Sequence, residues 1–359
     1  MTNSWQDMQN SECFLIAGSN CAECHPIAMK WVNRARAKGA KVIVVDPRFT
    51  RTASQADIFA QIRPGTDIAY LGAMINYYIE NKLYNEFYVM NFTNALYKIS
   101  KDFKFNDGLF SGFNPETRKY DYASWAYQLD AEGKPVKAAS LNDPDCVFQK
   151  LKAHYSRYTF DVASKITGIP VAKIKQIADT FAAANPGNIF YALGMTQHTT
   201  ATQGIRCYAI IQLLLGNMGK AGGGIQALRG EPNVQGSTDM ANLNANLPGY
   251  LPYPTNAEKT LQDYVMKNGS VQHKPLVALL KSWFGKNATA ENDYGYQWLP
   301  KNNPSNMPIQ PQFFSKMEEG QFKLLLNWGS NSTVSIPDRK LVARGLSKLE
   351  MLVVADIFN

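Results

Sequence analysis

Cys13-Phe14-Leu15-Ile16-Ala17-Gly18-Ser19-Asn20 is an apolar run that breaks on a glycine and two small polar residues, and its reading decides the fold. Pro26 follows, a residue type suited to the first turn of a helix. Ala28, Trp31, Val32 and Ala35 then recur at helical spacing. Gly39 stops that helix, and Lys41 to Val45 reads as a buried β-branched strand ending at Asp46. Strand, glycine turn, helix and strand in this order predict a βαβ unit with a right-handed crossover.

The far end of the chain repeats the plan. Phe322 to Asn327 is apolar and is followed by Gly329, Ser330 and Asn331. Pro337 opens a predicted helix carrying Leu341, Val342, Leu346 and Leu349, and Met351 to Ala355 is a predicted strand ending at Asp356. Gly18 to Asp46 is 28 positions and Gly329 to Asp356 is 27. Chance readily supplies one tripeptide twice, but it is a poor account of the matched strand, helix, strand and aspartate around it.

Glycine lets the chain turn sharply after the strand and lets a ligand approach the backbone. The next helix directs its amides and positive dipole end at the loop, which suits a pyrophosphate. An acidic residue ending the second strand can accept hydrogen bonds from a ribose or a base. Two such units predict two nucleotide-bearing ligands or one pseudo-symmetric site; the plainer alternative is two α/β layers with no ligand. A standard NAD site is disfavoured because neither loop carries G-x-G-x-x-G. Gly219-Lys220 is not a phosphate loop either, since Ala221 replaces the hydroxyl residue.

Cys21-Ala22-Glu23-Cys24-His25 matches the C-x-x-C-H of covalent haem attachment. It falls between a predicted buried strand and its helix, where a haem would collide with the packing. Zinc is disfavoured because no second C-x-x-C follows. In this position the cysteines read as small loop residues, with Glu23 and His25 as polar residues fixing the loop.

Thr200 to Leu215 reads as a helix, and Gly216-Asn217-Met218-Gly219-Lys220-Ala221-Gly222-Gly223-Gly224 follows it. Glycines this dense fit a hinge between domains or backbone wrapped around a ligand. Arg229, between apolar residues and Gly230, is an unusual place for a surface arginine, and a guanidinium can grip a carboxylate through two parallel hydrogen bonds. Asn233 and Gln235 add amide donors and acceptors. Arg63-Pro64-Gly65-Thr66-Asp67 reads as a turn feeding a helix from Ile68, with Asp67 either capping it or binding a base.

The 359 residues are 45% hydrophobic and 18% charged, which excludes a disordered or collagenous chain and is enough for two packed units. Five cysteines are too few for a disulfide framework. No apolar run reaches the roughly 20 residues of a membrane span, and the residues after Met1 lack the apolar core of a signal peptide. Lys and Arg outnumber Asp and Glu by 37 to 29, for a net charge of +8, but they are scattered, so nucleic acid is not the expected partner.

Four stretches together resemble a known family. They are Gly18-x-Asn20-x-x-Glu23-x-His25-Pro26; Val45-Asp46-Pro47-Arg48-x-Thr50-x-Thr52-Ala53; Pro64-Gly65-Thr66-Asp67; and Leu215-Gly216-Asn217-Met218-Gly219 leading into Arg229-Gly230-x-x-Asn233-Val234-Gln235-Gly236. The chain resembles the large subunit of molybdopterin-dependent formate dehydrogenases, in the bis-guanine-dinucleotide oxidoreductase superfamily. The last stretch is the most specific to formate dehydrogenases. Phe105-x-Asp107-Gly108-Leu109-Phe110-Ser111-Gly112, Arg118-Lys119-Tyr120-Asp121 and Ser156-Arg157-Tyr158-Thr159 look like an insertion of the respiratory, membrane-associated, periplasm-facing type, and Gly194-x-Thr196-Gln197-His198 fits that group.

The resemblance implies an α/β fold of two Rossmann-like βαβ layers related by pseudo-symmetry. The expected domains are 1–229, with an insertion at about 100–157, and 230–359. It implies oxidation of formate to carbon dioxide at a molybdenum or tungsten ion chelated by two molybdopterin guanine dinucleotides. Arg229 would hold the formate carboxylate. Gly18, Asn20, Glu23, Asp46, Arg48, Thr50, Gly65, Asp67, Gly194 and Gln197 would serve one dinucleotide; Gly329, Asn331 and Asp356 the other. Gly230, Asn233, Gln235 and Gly236 are further expected cofactor contacts. The implied partners are an iron–sulfur β subunit and a membrane cytochrome b γ subunit. The family's four-iron–four-sulfur domain and its metal-ligating selenocysteine or cysteine are not found in these residues, so the expectation is the middle of a larger subunit, inactive alone. The alternatives are another molybdopterin oxidoreductase, acting on nitrate or sulfur compounds, or a non-catalytic scaffold.

Overall fold

β1 (Cys13–Ala17) runs through the middle of a five-stranded sheet, and every one of its residues is buried. This computed structural model describes residues 2–106, 108–230, 233–241, 246–301 and 310–357. Asp107, Glu231 and Pro232, which fall in the quoted stretches, lie outside the described residues. The chain divides into two units, Met1–Gly230 and Glu231–Asn359.

In the first unit α1 (Cys21–Cys24) and α2 (Pro26–Arg36) lead to β2 (Lys41–Asp46) and β3 (Ile58–Gln61). After α3 (Asp67–Glu80), α4 (Phe160–Thr167) and α5 (Val171–Ala182) come β4 (Gly187–Tyr191), the single turn α6 (Leu193–Thr196), α7 (Ala201–Leu215) and β5 (Gly224–Ala227). The strand order is β3-β2-β1-β4-β5, and all four pairings are parallel.

Side-chain alternation builds a core on each face. Phe14 and Ile16 join Val42, Val44, Phe190, Met29 and Val32 of α2. Leu15 and Ala17 join Ile43 and Val45 against α3, α5 and α7. Parallel strands covered on both faces read as continuous apolar runs, as β1 and β2 do. Each large side chain fully buried here contributes roughly 1.5–3 kcal/mol.

The end of the glycine-rich segment is packed into the first unit. Gly222, Gly223 and Gly224 are buried at the amino end of β5. Asn188 Nδ2 donates to Gly222 O at 2.9 Å and Gly223 O at 3.2 Å, and Gln212 Nε2 donates to Gly187 O at 3.0 Å and Gly224 O at 2.6 Å. Buried amides thus satisfy backbone carbonyls that would otherwise be orphaned.

The described residues of 93–146 form little regular structure. Two pairs of two-residue strands, Phe105–Asn106 with Leu109–Phe110 and Phe113–Asn114 with Lys119–Tyr120, carry an aromatic cluster. Trp125 stands 5.1 Å from Phe110, 5.3 Å from Tyr120 and 4.8 Å from Tyr122, ring centre to ring centre.

The second unit begins with α8 (Val234–Asp239), and α9 (Leu261–Asn268) and α10 (His273–Phe284) pack Tyr264, Leu276, Leu280 and Tyr296 into one core. A capping box starts α9, with Thr260 and Asp263 satisfying each other's backbone N–H groups. Then follow α11 (Gln310–Glu318), β6 (Leu324–Trp328), α12 (Ser332–Ser335), α13 (Arg339–Leu346) and β7 (Met351–Ala355). β6 and β7 pair in parallel, Leu324 against Met351 through Trp328 against Ala355.

Two boundaries in the second unit differ from the sequence reading. Phe322 packs against Phe313 at 4.7 Å instead of opening the strand, so β6 starts at Leu324. Asp338 caps α13 by accepting the Leu341 N–H at 3.0 Å, so that helix starts at Arg339 and not at Pro337. Leu326, Trp328 and Met351 are 57, 75 and 55% exposed, an unusual state for one face of a parallel pair.

Candidate functional site

In the first unit the chain runs outward from β1 through β2 to β3 on one side of the sheet and from β4 to β5 on the other. The carboxyl ends of β1 and β4 therefore form a topological switch point, where open α/β sheets bind ligands. Gly18 follows β1 and Gly194 lies just beyond β4. They meet there backbone to backbone, the Gly194 N–H donating to Gly18 O at 3.1 Å. Gly18 has φ +56°, and its own N–H donates to Val45 O at 3.3 Å.

Asn20 precedes α1 and is held from below. Its Oδ1 accepts from the Thr52 N–H at 3.3 Å and the Thr52 hydroxyl at 3.0 Å, and its Nδ2 donates to Glu23. The Ala22 N–H donates to Thr52 Oγ1 at 3.0 Å. Thr52 is fully buried. Glu23 also faces Arg51 at 3.6 Å across exposed surface, a pair worth little. Thr52→Val is expected to loosen this clasp at a cost of about 0.5–1.5 kcal/mol, by removing the hydroxyl that joins the half-buried Ala22 N–H to Asn20; urea unfolding checks it.

The carboxylates stand close by. Asp46 ends β2, and its Oδ1 accepts from the Arg48 N–H at 2.9 Å. Asp67 is the first residue of α3, whose cap is Thr66. Burial raises both carboxyls above the ordinary range. The Arg48 N–H and charge pull Asp46 back, and the His198 ring pulls Asp67 back while the Asp46 charge adds to its rise. His198 Nε2 lies 3.0 Å from Gly194 O, which ties it to the same edge. Gly65 turns the chain into α3, with His198 as its neighbour.

Thr50 is buried, and its hydroxyl accepts from the Ala53 N–H at 3.1 Å, closing the turn after Arg48. Arg63 is used by the fold: its guanidinium donates to Lys165 O at 2.7 Å and Ile166 O at 3.1 Å, at the end of α4. Gln197 is exposed just beyond α6.

Arg229 emerges from β5 at the same edge. Leu228 is buried and its N–H donates to Tyr191 O at 2.8 Å. The Arg229 side chain is exposed, and its charge partly offsets the burial that raises the Tyr191 hydroxyl. His25 Nε2 sits 2.5 Å from Arg229 O. Gly230 ends the unit.

In the second unit Gly329 also has φ +56°, and its N–H donates to Ala355 O at 2.9 Å. Asn331 precedes α12 as Asn20 precedes α1. A cavity of about 340 Å³ opens here, lined by Asn327, Ser330, Asn331, Thr333, Leu352 and Asp356 among others. That is within the usual range for ligand sites. Asn233, Gln235 and Gly236 lie on or beside α8 in this unit, with Asn233 and Gln235 exposed.

The one-turn helices after Asn20 and Asn331, the clasp by Thr52, and the places of His25, His198 and Tyr191 escaped the sequence reading. Thr52 and His25 stand inside quoted stretches; only their partners were hidden. Tyr191 carried no signal.

In each unit by itself the residue types fit a nucleotide: a glycine turn and an asparagine behind one strand and a carboxylate after the next, the glycine N–H groups themselves being held by Val45 O and Ala355 O. Among the described residues no group of three or more His, Cys, Asp and Glu side chains is placed to hold a metal ion. Cys21 is buried against Met29, its sulfur 3.3 Å from Met29 Sδ, and burial pushes its thiol up to about 11. Among the described residues no helix is long and apolar enough to cross a membrane.

The family described as "Molybdopterin oxidoreductase" matches residues 1–359. The chain is 44% identical over 375 residues to "Formate dehydrogenase 2 subunit alpha (cytochrome c-553)" of Nitratidesulfovibrio vulgaris, covering 100% of this chain and 37% of that protein. It is 44% identical over 373 residues to "Formate dehydrogenase, nitrate-inducible, major subunit" of Escherichia coli, covering 99% and 37%. The chain thus spans little more than a third of the length of these relatives. With a parallel sheet whose glycine turns and acids gather at its carboxyl edge, and a match along its whole length, the chain belongs to the molybdopterin oxidoreductase family.

Proposed function

We propose that this chain is the central part of the catalytic subunit of a formate dehydrogenase. The supporting observation is 44% identity along the whole chain to two formate dehydrogenase large subunits, together with an exposed arginine at the carboxyl edge of the sheet. Formate is oxidised to carbon dioxide, releasing two electrons and a proton. The Arg229 guanidinium grips the formate carboxylate with two parallel N–H···O bonds, which fixes the direction of the formate C–H bond.

The two glycine turns each serve one molybdopterin guanine dinucleotide, and the two βαβ layers are related by pseudo-symmetry for that reason. When bound, the pterin-chelated molybdenum or tungsten supplies the electron acceptor. Gly18, Asn20, Glu23, Asp46, Arg48, Thr50, Gly65, Asp67, Gly194 and Gln197 hold the first dinucleotide. Gly329, Asn331 and Asp356 hold the second, with Gly230, Asn233, Gln235 and Gly236 as further contacts. Domains of 1–229 and 230–359, an iron–sulfur cluster elsewhere in the subunit, an iron–sulfur β subunit, a membrane cytochrome b γ subunit and a periplasmic site complete the reading. The full-length subunit is expected to yield two guanine nucleotides per metal ion and to reduce viologen with formate, while this chain alone does not turn over. Metal without guanine nucleotide, or no response to formate, defeats the proposal.

The acids make dinucleotide binding sensitive to pH. Burial raises Asp46 and Asp67 in the unliganded protein, so protonation is favoured more in the folded chain than in the unfolded one. Their stabilising contribution is present below the unfolded carboxyl pKa and is lost as pH rises through the folded values. The ionised carboxylate accepts from a guanine or ribose donor with both oxygens and more strongly than the protonated group, so binding strengthens across that same rise. Retention of guanine nucleotide is therefore expected to fall as pH drops from 7 towards 4, and Asp67→Asn to flatten that dependence. Nucleotide released after gel filtration at each pH checks both.

A further inference from the structure

We infer that His25 is a positioning residue for Arg229, tying the first glycine turn to the arginine that faces formate. This rests on the assignment of Arg229 to the formate carboxylate. His25 Nε2 lies 2.5 Å from Arg229 O. A carbonyl oxygen only accepts, so Nε2 carries the hydrogen and donates.

The ring has little freedom to leave. Its backbone lies between α1 and α2, with the His25 N–H donating to Cys21 O at 2.8 Å and the Ala28 N–H donating to His25 O at 2.9 Å. Pro26 opens α2 directly after it. On one side the ring meets Trp5, centroids 6.0 Å apart, and Trp5 is backed edge-on by Phe190 at 6.1 Å. Nδ1 is shielded from solvent and has no hydrogen-bond partner in the structure. A flipped ring would put Cε1 where Nε2 stands and lose the N–H that meets Arg229 O.

The arginine needs this hold. Leu228 is the last residue tied to the sheet, through Tyr191 O at 2.8 Å. Arg229 and Gly230 beyond it are exposed. His25 fixes the carbonyl of the residue whose guanidinium must be aimed. The loop it comes from is itself clamped by Gly194 and Thr52. Binding of carboxylate thus depends on the dinucleotide loop through the side chain of His25.

The test uses the full-length enzyme. His25→Phe keeps the ring against Trp5 and removes the donor; His25→Gln restores an amide N–H of similar reach. His25→Phe is expected to raise KM for formate tenfold or more with a smaller change in kcat, and with native guanine nucleotide per metal. His25→Gln is expected to recover most of the KM. A native KM in His25→Phe overturns the inference. So does a KM defect that comes with lost guanine nucleotide and that His25→Gln leaves in place, because the residue then serves the loop alone. Arg229→Ala assayed beside them separates the two levels. If it keeps a native KM, the formate assignment fails and takes the inference with it. If it is crippled while His25→Phe is native, the inference alone fails.

Discussion

Arg229→Lys in the full-length subunit is expected to lower kcat/KM for formate by roughly 10–150-fold while metal and guanine nucleotide contents stay native. Lysine keeps the positive charge and loses the planar fork, so one of two charge-assisted hydrogen bonds disappears along with the direction they impose. Such a bond is worth about 1.5–3 kcal/mol, and each 1.36 kcal/mol is tenfold in rate. Arg229→Ala removes both bonds and the charge, and the expected loss is on the order of 10³ or more. The contents should hold because Arg229 is exposed and its backbone is anchored through Leu228 and His25, so neither change disturbs the sheet. Formate-dependent viologen reduction, metal analysis and nucleotide release are the measurements. Unchanged turnover in Arg229→Lys refutes the role.

Much of this edge was legible because the signals that make it are local. Five apolar residues, Gly18, Pro26 and Gly39 define a strand, its turn and the ends of a helix without help from elsewhere in the chain. The same holds near Gly329, apart from two starts moved by Phe322 and Asp338. The neighbours of β1 on the other side were not legible. β4 lies 174 positions further along, Cys13 facing Gly187, and pairing at that separation is settled by tertiary closure. The meeting of Gly18 with Gly194 was hidden for that reason. So was the use of Gly222 to Gly224, whose density signals an unusual backbone but not which end of the sheet it packs against. Thr52 and His25 show a third limit: a hydroxyl or an imidazole is a donor anywhere, and only the folded loop selects what it holds.

Gly18→Ala and Gly329→Ala are expected to part company although each glycine opens the same tripeptide at φ +56°. Any L side chain there carries left-handed strain of about 1–2 kcal/mol. At Gly18 the new methyl also meets the Met195 backbone nitrogen and stands 2.5 Å from the Gly194 carbonyl carbon. Both are main-chain atoms of the adjoining strand's turn and cannot rotate away. Overpacking of that kind adds about 1–3 kcal/mol, so Gly18→Ala should destabilise the first unit by roughly 2–5 kcal/mol, a large part of a domain's usual stability. Gly194→Ala strikes the same contact, its methyl 2.7 Å from Gly18 O, so the double variant should cost less than the sum of the singles. A methyl on Gly329 meets nothing within 4 Å, so its cost should stay near the strain alone. Its neighbour Ser330 lines the cavity of the second turn, where close backbone approach is what a dinucleotide needs. Urea unfolding should therefore show a large shift for Gly18→Ala and a small one for Gly329→Ala. The full-length Gly329→Ala subunit should nonetheless lose about one guanine nucleotide in two, and retention of both would show that its open loop serves no ligand.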